Sequence, residues 1–372
     1  GNITGTASAI MFGGPGAVFW MCVMAVICSA SAYIESALAQ VWKRRVNGEY
    51  AGGPSFYMDK GLKCKPIAAF YGIVSVVFLI IFAGVQTNAF SSVASSSYRI
   101  PPMAIAVCYT LLLIVVIFGG AKVIAGVADK VVPFMSVAYV GVALLLILIN
   151  ITKVPSMIAL IFTSAFSANA VFGGMVGSAV SWGVRRGVFS NEAGLGSLAV
   201  LHGMSEGKER LRQRREAQKQ GMWAIFEVFF DTIIGCSLTA FLLLCVFPHN
   251  LTGKIGSLGG SGAVAAALAA RFGNAGGIVT AACMVLFAFA TILAWFYIGD
   301  QALGWLMRDV PQKRADKICI LYHGGYLVSV FLGCVSRMEA VWAVSDIFNG
   351  LMAVPNLAAL VVLGRKVRRP EQ

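Results

Sequence analysis

The residues best suited to chemistry lie in one mid-chain stretch, from Arg185 to Ser197. It reads RRGVFSNEAGLGS and places two arginines, a carboxylate, an amide, two hydroxyls and three glycines between apolar segments. Glycine costs about 1 kcal/mol in a helix interior, and a carboxylate at membrane depth costs at least about 2.5 kcal/mol. We therefore expect a broken helix whose polar groups face protein or water, as in half of a small-molecule binding site.

The composition of the chain indicates a polytopic helical membrane protein. Of its 372 residues, 58% are hydrophobic and 12% charged, and the mean hydropathy is +0.81. Soluble domains carry roughly 25% charged residues. The net charge of +13 comes from basic residues crowded into short loops between apolar runs, so it indicates membrane orientation and no nucleic-acid partner. The nine cysteines show neither CxxC nor Cys/His spacing and are interpreted as small core residues.

Apolar runs predict nine membrane spans. They are placed near 17–41, 67–90, 102–120, 131–150, 170–202, 222–247, 277–307, 317–335 and 341–364. The glycine-rich segment 249–277 is predicted to hold only a short helix at the membrane surface. With loop 43–66 inside the cell, 22 of the 29 basic residues lie in cytoplasmic segments and five lie opposite, while Arg185 and Arg186 lie within a span. This asymmetry supports the topology.

The predicted topology makes the polar segment at Gly1 run outward and the one at Ser190 run inward. Antiparallel, interrupted helices are typical of transporters built from inverted repeats, which bind substrate where the breaks meet. We expect one transporter domain over 1–372, with the remainder of a first repeat at 1–150, a second repeat at 151–364 and a basic cytoplasmic tail at 365–372. The first apolar run, 1–12, is short for a span, so we also expect that the sequence lacks an N-terminal span and the first half of helix 1.

Several motifs resemble the alanine or glycine:cation symporter family, also called sodium:alanine symporters. The motifs are GNI at 1–3, GGPGAVFWM at 13–21, GGP at 52–54, RGVFSNEAGLGS at 186–197, Asp231-Thr232 and NGLMAVPNL at 349–357. The resemblance implies a leucine-transporter-like fold with helices 1 and 6 discontinuous. It also implies Na⁺-driven, in some members H⁺-driven, uptake of alanine, glycine or a similar small amino acid, with no cofactor.

Backbone and side-chain groups at the two breaks are the candidate substrate ligands. The N–H groups around Gly1, Asn2 and Ile3 suit a substrate carboxylate, because the start of a helix carries unpaired donors at its positive end. Oxygens around Ser190, Asn191 and Gly194 suit an ammonium group or the ion. Capping and helix packing are the alternatives for Gly1 and Asn2.

Two further spans carry candidate site residues. Gln86 and Asn88 are predicted to bond either the substrate or a neighbouring helix, with Gln86 preferred for the substrate. Thr291 and Trp295 are four residues apart and share one helix face, where they suit a sodium ligand and a cap on a small side chain, or simple packing. The candidate sodium ligands are Asn2, Asn191 and Thr291.

The remaining intramembrane charges have two interpretations. Glu192 is either a ligand for a cation or ammonium group or, as we prefer, half of a structural or gating ion pair with Arg185 or Arg186. Glu227, Asp231 and Asp346 are either proton-relay groups or, as preferred, parts of a structural network.

Three other classes of function are weighed against symport. Histidines 202, 249 and 323 are too far apart in sequence to suggest a catalytic centre, so an enzyme is not expected. A channel would commonly need oligomeric symmetry, whereas this chain holds both halves of a site, so we expect a monomer in the plasma membrane. A non-transporting fragment of a symporter stays open as an alternative.

Overall fold

The computed structural model describes residues 1–46, 49–167, 178–205, 210–247, 251–336 and 339–368. They form helices with one small hairpin. In chain order the elements are α1 (Thr4–Gly13), α2 (Ala17–Trp42), β1 (Arg44–Val46), β2 (Glu49–Ala51), α3 (Pro54–Lys60), α4 (Lys65–Tyr98), α5 (Pro102–Phe118), α6 (Ala121–Ile149), a 3-10 turn (Ile151–Lys153), α7 (Val154–Ala165), α8 (Ser178–Asn191), α9 (Ser197–Gly203), α10 (Arg210–Val228), a π-helical segment (Phe229–Cys236), α11 (Ser237–Val246), α12 (Leu251–Phe272), α13 (Asn274–Met307), α14 (Gln312–Val335) and α15 (Glu339–Arg368).

Seven stretches of helix in the described residues are long and apolar enough to cross a membrane. They are Ala17–Trp42, Lys65–Ser95, Lys122–Ile149, Arg215–Val246, Asn274–Met307, Gln312–Val335 and Asp346–Arg365. Their outer faces expose large apolar side chains such as Val137, Leu321 and Val361, as expected of surfaces that contact lipid. The chain is an all-α polytopic membrane protein.

Differences from the predicted spans have local causes. The span predicted at 102–120 is α5, whose 17 residues are near the lower limit for crossing a bilayer. The helix predicted from 131 begins at Ala121, because Pro133 is accommodated inside it. Helix α7 was missed, since its 12 residues are too few to register as a span.

The short helix expected in 249–277 is present, but it does not lie flat on the surface. Helix α12 changes direction at Gly259, which has φ 73°. Beyond that kink Ala263, Val264 and Leu268 are buried, and the helix packs against α1, α11 and α13. This segment therefore covers one side of the interior.

Helices α1, α8, α4 and α13 bring the interrupted segments into the centre of the bundle. Helix α1 packs against α8, and α4 packs along both α13 and α14. Glycines allow the closest approach: a Cβ on Gly1 would lie 2.7 Å from the Cα of Ser190, so the start of α1 touches the end of α8. The polar segment at Gly1 and the break after α8 are therefore in direct contact.

Candidate functional site

The mid-chain break predicted at Arg185–Ser197 is present. Helix α8 ends at Asn191 and α9 begins at Ser197. Between them Glu192, Gly194 and Gly196 adopt left-handed φ values of 53°, 86° and 91°. Two of these positions are glycines, which accept that conformation freely, whereas Glu192 pays a strain cost typical of functional positions.

A buried polar network holds this break in shape. Glu35 of α2 is fully buried, and its carboxylate accepts hydrogen bonds from the Gly194 N–H at 3.2 Å and from the Asn356 amide at 2.8 Å. Asn356 of α15 also donates to the Gly194 carbonyl at 3.0 Å and accepts from the Tyr57 hydroxyl. The Tyr71 hydroxyl donates to the Leu195 carbonyl at 2.7 Å. Helices α2, α3, α4 and α15 thus converge on the unwound backbone.

A cavity of about 210 Å³ lies where this break meets the start of α1. A water molecule occupies about 30 Å³ in the liquid, so the cavity has room for a small solute and its ion. The described residues that line it are Gly1, Asn2, Ile3, Thr4, Gln86, Ala89, Phe90, Phe189, Ser190, Glu192, Asp231, Met284, Phe287, Ala288, Thr291 and Trp295. Two of them are carboxylates and none of these described residues is Lys, Arg or His, so the side chains favour a cationic group.

Oxygen atoms cluster at one side of this cavity. The Ser190 hydroxyl lies 2.7 Å from Asp231 Oδ2 and 3.0 Å from Asn2 Oδ1, and Thr232 donates to the same Asp231 oxygen at 3.0 Å. The Asn2 amide donates to the Asp231 carbonyl at 3.3 Å. A hydroxyl has one proton and cannot serve both acceptors. The cluster therefore has a surplus of oxygen acceptors, which is the donor set that hard cations prefer.

The wall opposite this cluster is formed by Trp295 and Glu192. The indole Nε1–H donates to Glu192 Oε1 at 2.8 Å, which fixes the carboxylate at the cavity surface. The Trp295 ring packs on Phe82 with 4.6 Å between centroids. The Trp295 ring therefore limits the space beside the Glu192 carboxylate.

The ion pair expected between Glu192 and Arg185 or Arg186 is not found among the described residues. Arg186 is buried and instead pairs with Asp346 of α15, at 3.4 Å between Nη2 and Oδ2, and it lies over the Trp182 and Phe189 rings. Arg185 is exposed, beside Trp182. The reason is geometric: the left-handed turn at Glu192 directs its side chain toward α13 and away from the arginines of α8.

The structure brings together most of the side chains predicted for the site. Gly1, Asn2, Ile3, Gln86, Ser190, Thr291 and Trp295 all line the cavity. Asn88, which does not line the cavity, donates hydrogen bonds to the carbonyls of Gly333 in α14 and of Ser336 just beyond it. The preference for Gln86 over Asn88 as the cavity residue agrees with these contacts.

Asn191 and Gly194 do not line the cavity. The Asn191 side chain caps the Ala193 N–H at 3.1 Å and donates to Thr232 at 3.3 Å. Because Thr232 in turn donates to Asp231, Asn191 is connected to the oxygen cluster only through Thr232. The Gly194 N–H donates a hydrogen bond to Glu35, and the Gly194 carbonyl accepts one from the Asn356 amide.

The sequence predicts one network for Asp231 and Glu227, whereas the two side chains lie in different surroundings. Asp231 lines the cavity, whereas Glu227 has 48% of its side chain exposed and contacts His202 at 3.2 Å. The π-helical segment begins at Phe229, between the two residues in sequence. Its wider turn makes the two side chains point in different directions. Only Asp231 therefore reaches the cavity, and whether it has a structural or a proton-relay role stays a prediction.

Glu35 is the polar residue that sequence reasoning missed. It lies in a long apolar run, in Tyr33-Ile34-Glu35-Ser36, where no periodicity shows which face is buried. An intramembrane carboxylate is by itself a signal of function, and that signal was available.

A bundle of membrane-spanning helices with a polar cavity at an unwound helix segment is typical of membrane transporters. The chain belongs to the sodium:alanine symporter family, whose model matches residues 1–370. The predicted family resemblance is confirmed, and the chain is a multi-pass membrane protein of the sodium-coupled amino-acid carrier class.

Named relatives match almost the whole chain. An uncharacterized transporter of Haemophilus influenzae is 38% identical over 99% of this chain and 78% of its own length. GlnT of Bacillus subtilis, named a probable sodium/glutamine symporter, is 36% identical over 99% of this chain and 73% of its own length. The sodium/alanine symporter AgcS of Methanococcus maripaludis is 35% identical over 98% of this chain and 78% of its own length.

Proposed function

We propose that this chain couples inward sodium flow to uptake of a small neutral amino acid, alanine or glycine, by alternating access. The supporting observation is the cavity where α1 and α8 meet, which holds two carboxylates, an oxygen cluster and the start of a helix within about 210 Å³. A zwitterionic amino acid and a cation need, in one small space, donors for the substrate carboxylate and oxygen acceptors for the ammonium group and the ion. The cavity offers both.

The substrate carboxylate is placed at the start of α1, where the first backbone N–H groups lack intrahelical partners. Its ammonium group is placed toward Glu192, and the Gln86 amide offers a further hydrogen bond. The side chain then faces Phe90, Phe189 and Trp295, whose bulk favours a small residue. GlnT carries glutamine in its name, so glutamine belongs among the substrates to be tested.

Sodium is assigned to the oxygen cluster of Asn2, Ser190 and Asp231, and the Thr291 hydroxyl, which also lines the cavity, is a further candidate ligand. Asn191 acts through Thr232 instead of binding the ion directly. A proton on Asp231 would supply the same positive charge, so proton coupling is the alternative for this side chain.

The transport cycle is assigned to a leucine-transporter-like inverted repeat, with repeats at 1–150 and 151–364 and a tail at 365–372 that is only partly described. The buried pair of Arg186 and Asp346 joins α8 to α15 and serves as a gate, with Arg185 at its exposed edge. Each chain holds both breaks, so the working unit is a monomer in the plasma membrane.

The test is uptake of labelled alanine by proteoliposomes containing the purified chain. Uptake should saturate, rise with an inward sodium gradient and fall with unlabelled alanine or glycine more than with serine or glutamine. Separate sodium and proton gradients distinguish the coupling ion. Uptake that ignores both gradients would refute the proposal, and so would an absence of uptake in a chain that still binds sodium and alanine.

A further inference from the structure

A second pocket, remote from the transport cavity, lies at the cytoplasmic end of the bundle. It has a volume of about 220 Å³ and is bounded by the end of α3, the start of α4 and the end of α13. The charge asymmetry of the loops places this end inside the cell. Four basic side chains line the pocket, Arg44, Lys60, Lys65 and Arg308, against two acidic ones, Asp59 and Asp309. The pocket therefore has a formal charge of +2.

One arginine in this pocket is held in place by its neighbours. Arg308 pairs through Nη1 with Asp59 at 3.1 Å and through Nε with Asp309 at 3.2 Å, and Asp59 is itself buried with 6% exposure. The guanidinium also lies 3.9 Å from the centre of the Trp305 ring. A guanidinium oriented in this way presents its remaining donors in a fixed direction, which lowers the entropy cost of binding an anion.

Two other cations in the pocket have no acidic partner. Arg44 and Lys65 are exposed and form no ion pair with any residue that the structure describes. Lys60 lies 3.8 Å from Asp59, which it shares with Arg308. The pocket thus combines one fixed guanidinium with two unpaired cations, at the depth where lipid headgroups meet protein.

We propose that this pocket binds a phosphate anion, and that the phosphodiester of an anionic lipid headgroup is its occupant. Arg and Lys both bind phosphate oxygens: the Arg guanidinium donates two parallel N–H groups, and the Lys ammonium acts as a compact positive charge. The aromatic floor of Phe56 and Trp305 suits the apolar part of a lipid. The same phosphate chemistry is shared by free inorganic phosphate, which is the other source to be tested.

The test compares the intact chain with two double variants of equal charge. Native mass spectrometry in detergent with equimolar phosphatidylglycerol and phosphatidylcholine measures which lipid is retained. We expect Arg44→Gln with Lys65→Gln to lower retained phosphatidylglycerol roughly thirtyfold, since two cations near a lipid phosphate are removed together. The matched control, Lys313→Gln with Arg314→Gln, removes two exposed cations from the same cytoplasmic face and should retain the lipid.

A thermal-stability titration with inorganic phosphate separates the two sources. Selective loss of phosphatidylglycerol in the pocket variant supports the proposal with lipid as the source. Saturable stabilisation by phosphate that only the pocket variant loses supports it with free phosphate as the source. The variant Arg44→Lys with Lys65→Arg preserves both charges and should still bind the anion. That result would attribute the loss in the glutamine variant to the missing charges and not to misfolding. Equal losses in the pocket and control variants, or no loss in either, would overturn it.

Discussion

At the scale of single residues, the site depends on which carboxylates reach the cavity. Asp231 accepts hydrogen bonds from Ser190 and Thr232 and lies beside the Asn2 oxygen, while Glu192 is held by Trp295. Asn2, Ser190 and Trp295, which the sequence predicted as site residues, line the cavity, because helix breaks and i, i+4 spacing are local signals. The separation of Asp231 from Glu227 could not be predicted, because an α-helical period does not anticipate the π-helical turn that begins at Phe229.

Replacing Asp231 with asparagine should weaken sodium dependence strongly. A unit charge 4 Å from an ion is worth about 4 kcal/mol at an effective dielectric constant of about 20, of which desolvation cancels part. We expect the sodium concentration for half-maximal uptake to rise at least about tenfold. Glu227→Gln, on the same membrane-spanning helix but with a half-exposed side chain, is the matched control and should change it little. An unchanged sodium response in Asp231→Asn would remove Asp231 from the ion site.

At the scale of elements, the unwound segment between α8 and α9 keeps its shape because other helices supply its missing hydrogen bonds. Glu35 of α2 and Asn356 of α15 together satisfy the N–H and carbonyl of Gly194, and Tyr71 of α4 satisfies Leu195. The sequence predicted the break from its glycines and polar residues. It could not predict these partners, because they come from positions more than a hundred residues away and depend on tertiary packing.

Replacing Glu35 with glutamine should loosen this break. One carboxylate oxygen would become an NH₂ group facing a donor, either the Gly194 N–H or the Asn356 amide, and such a mismatch costs about 1–3 kcal/mol. We expect a lower melting temperature and a reduced maximal uptake rate, with less effect on the sodium response than in Asp231→Asn.

The neighbouring Ser36→Ala variant is the control for the Glu35 substitution. Ser36 is equally buried, and its hydroxyl has no hydrogen-bond partner in the described part of the chain, so its removal should be tolerated. If Glu35→Gln matches Ser36→Ala in both stability and uptake, Glu35 does not brace the break.

At the scale of the whole molecule, the spans predicted from hydropathy agree with the helices that the structure describes. Seven long apolar stretches and the shorter α5 lie where apolar runs predicted spans. The start of α1, the break after α8 and the faces of α4 and α13 meet only in the folded bundle. A single cavity formed by separate halves of the chain makes its two ligands interdependent.

This arrangement predicts reciprocal binding of sodium and amino acid. By thermodynamic linkage, the factor by which saturating alanine lowers the Kd for sodium must equal the factor by which saturating sodium lowers the Kd for alanine, and a shared cavity predicts that this factor exceeds one. We expect a factor between about 5 and 150, the usual range of such coupling. Equilibrium binding to the purified chain in detergent measures all four constants. Asp231→Asn should bring the factor close to one, whereas Glu227→Gln should preserve it. Affinities that do not depend on the other ligand in the unmodified chain would mean that sodium and substrate occupy separate sites, and the shared cavity would not be the point at which they are coupled.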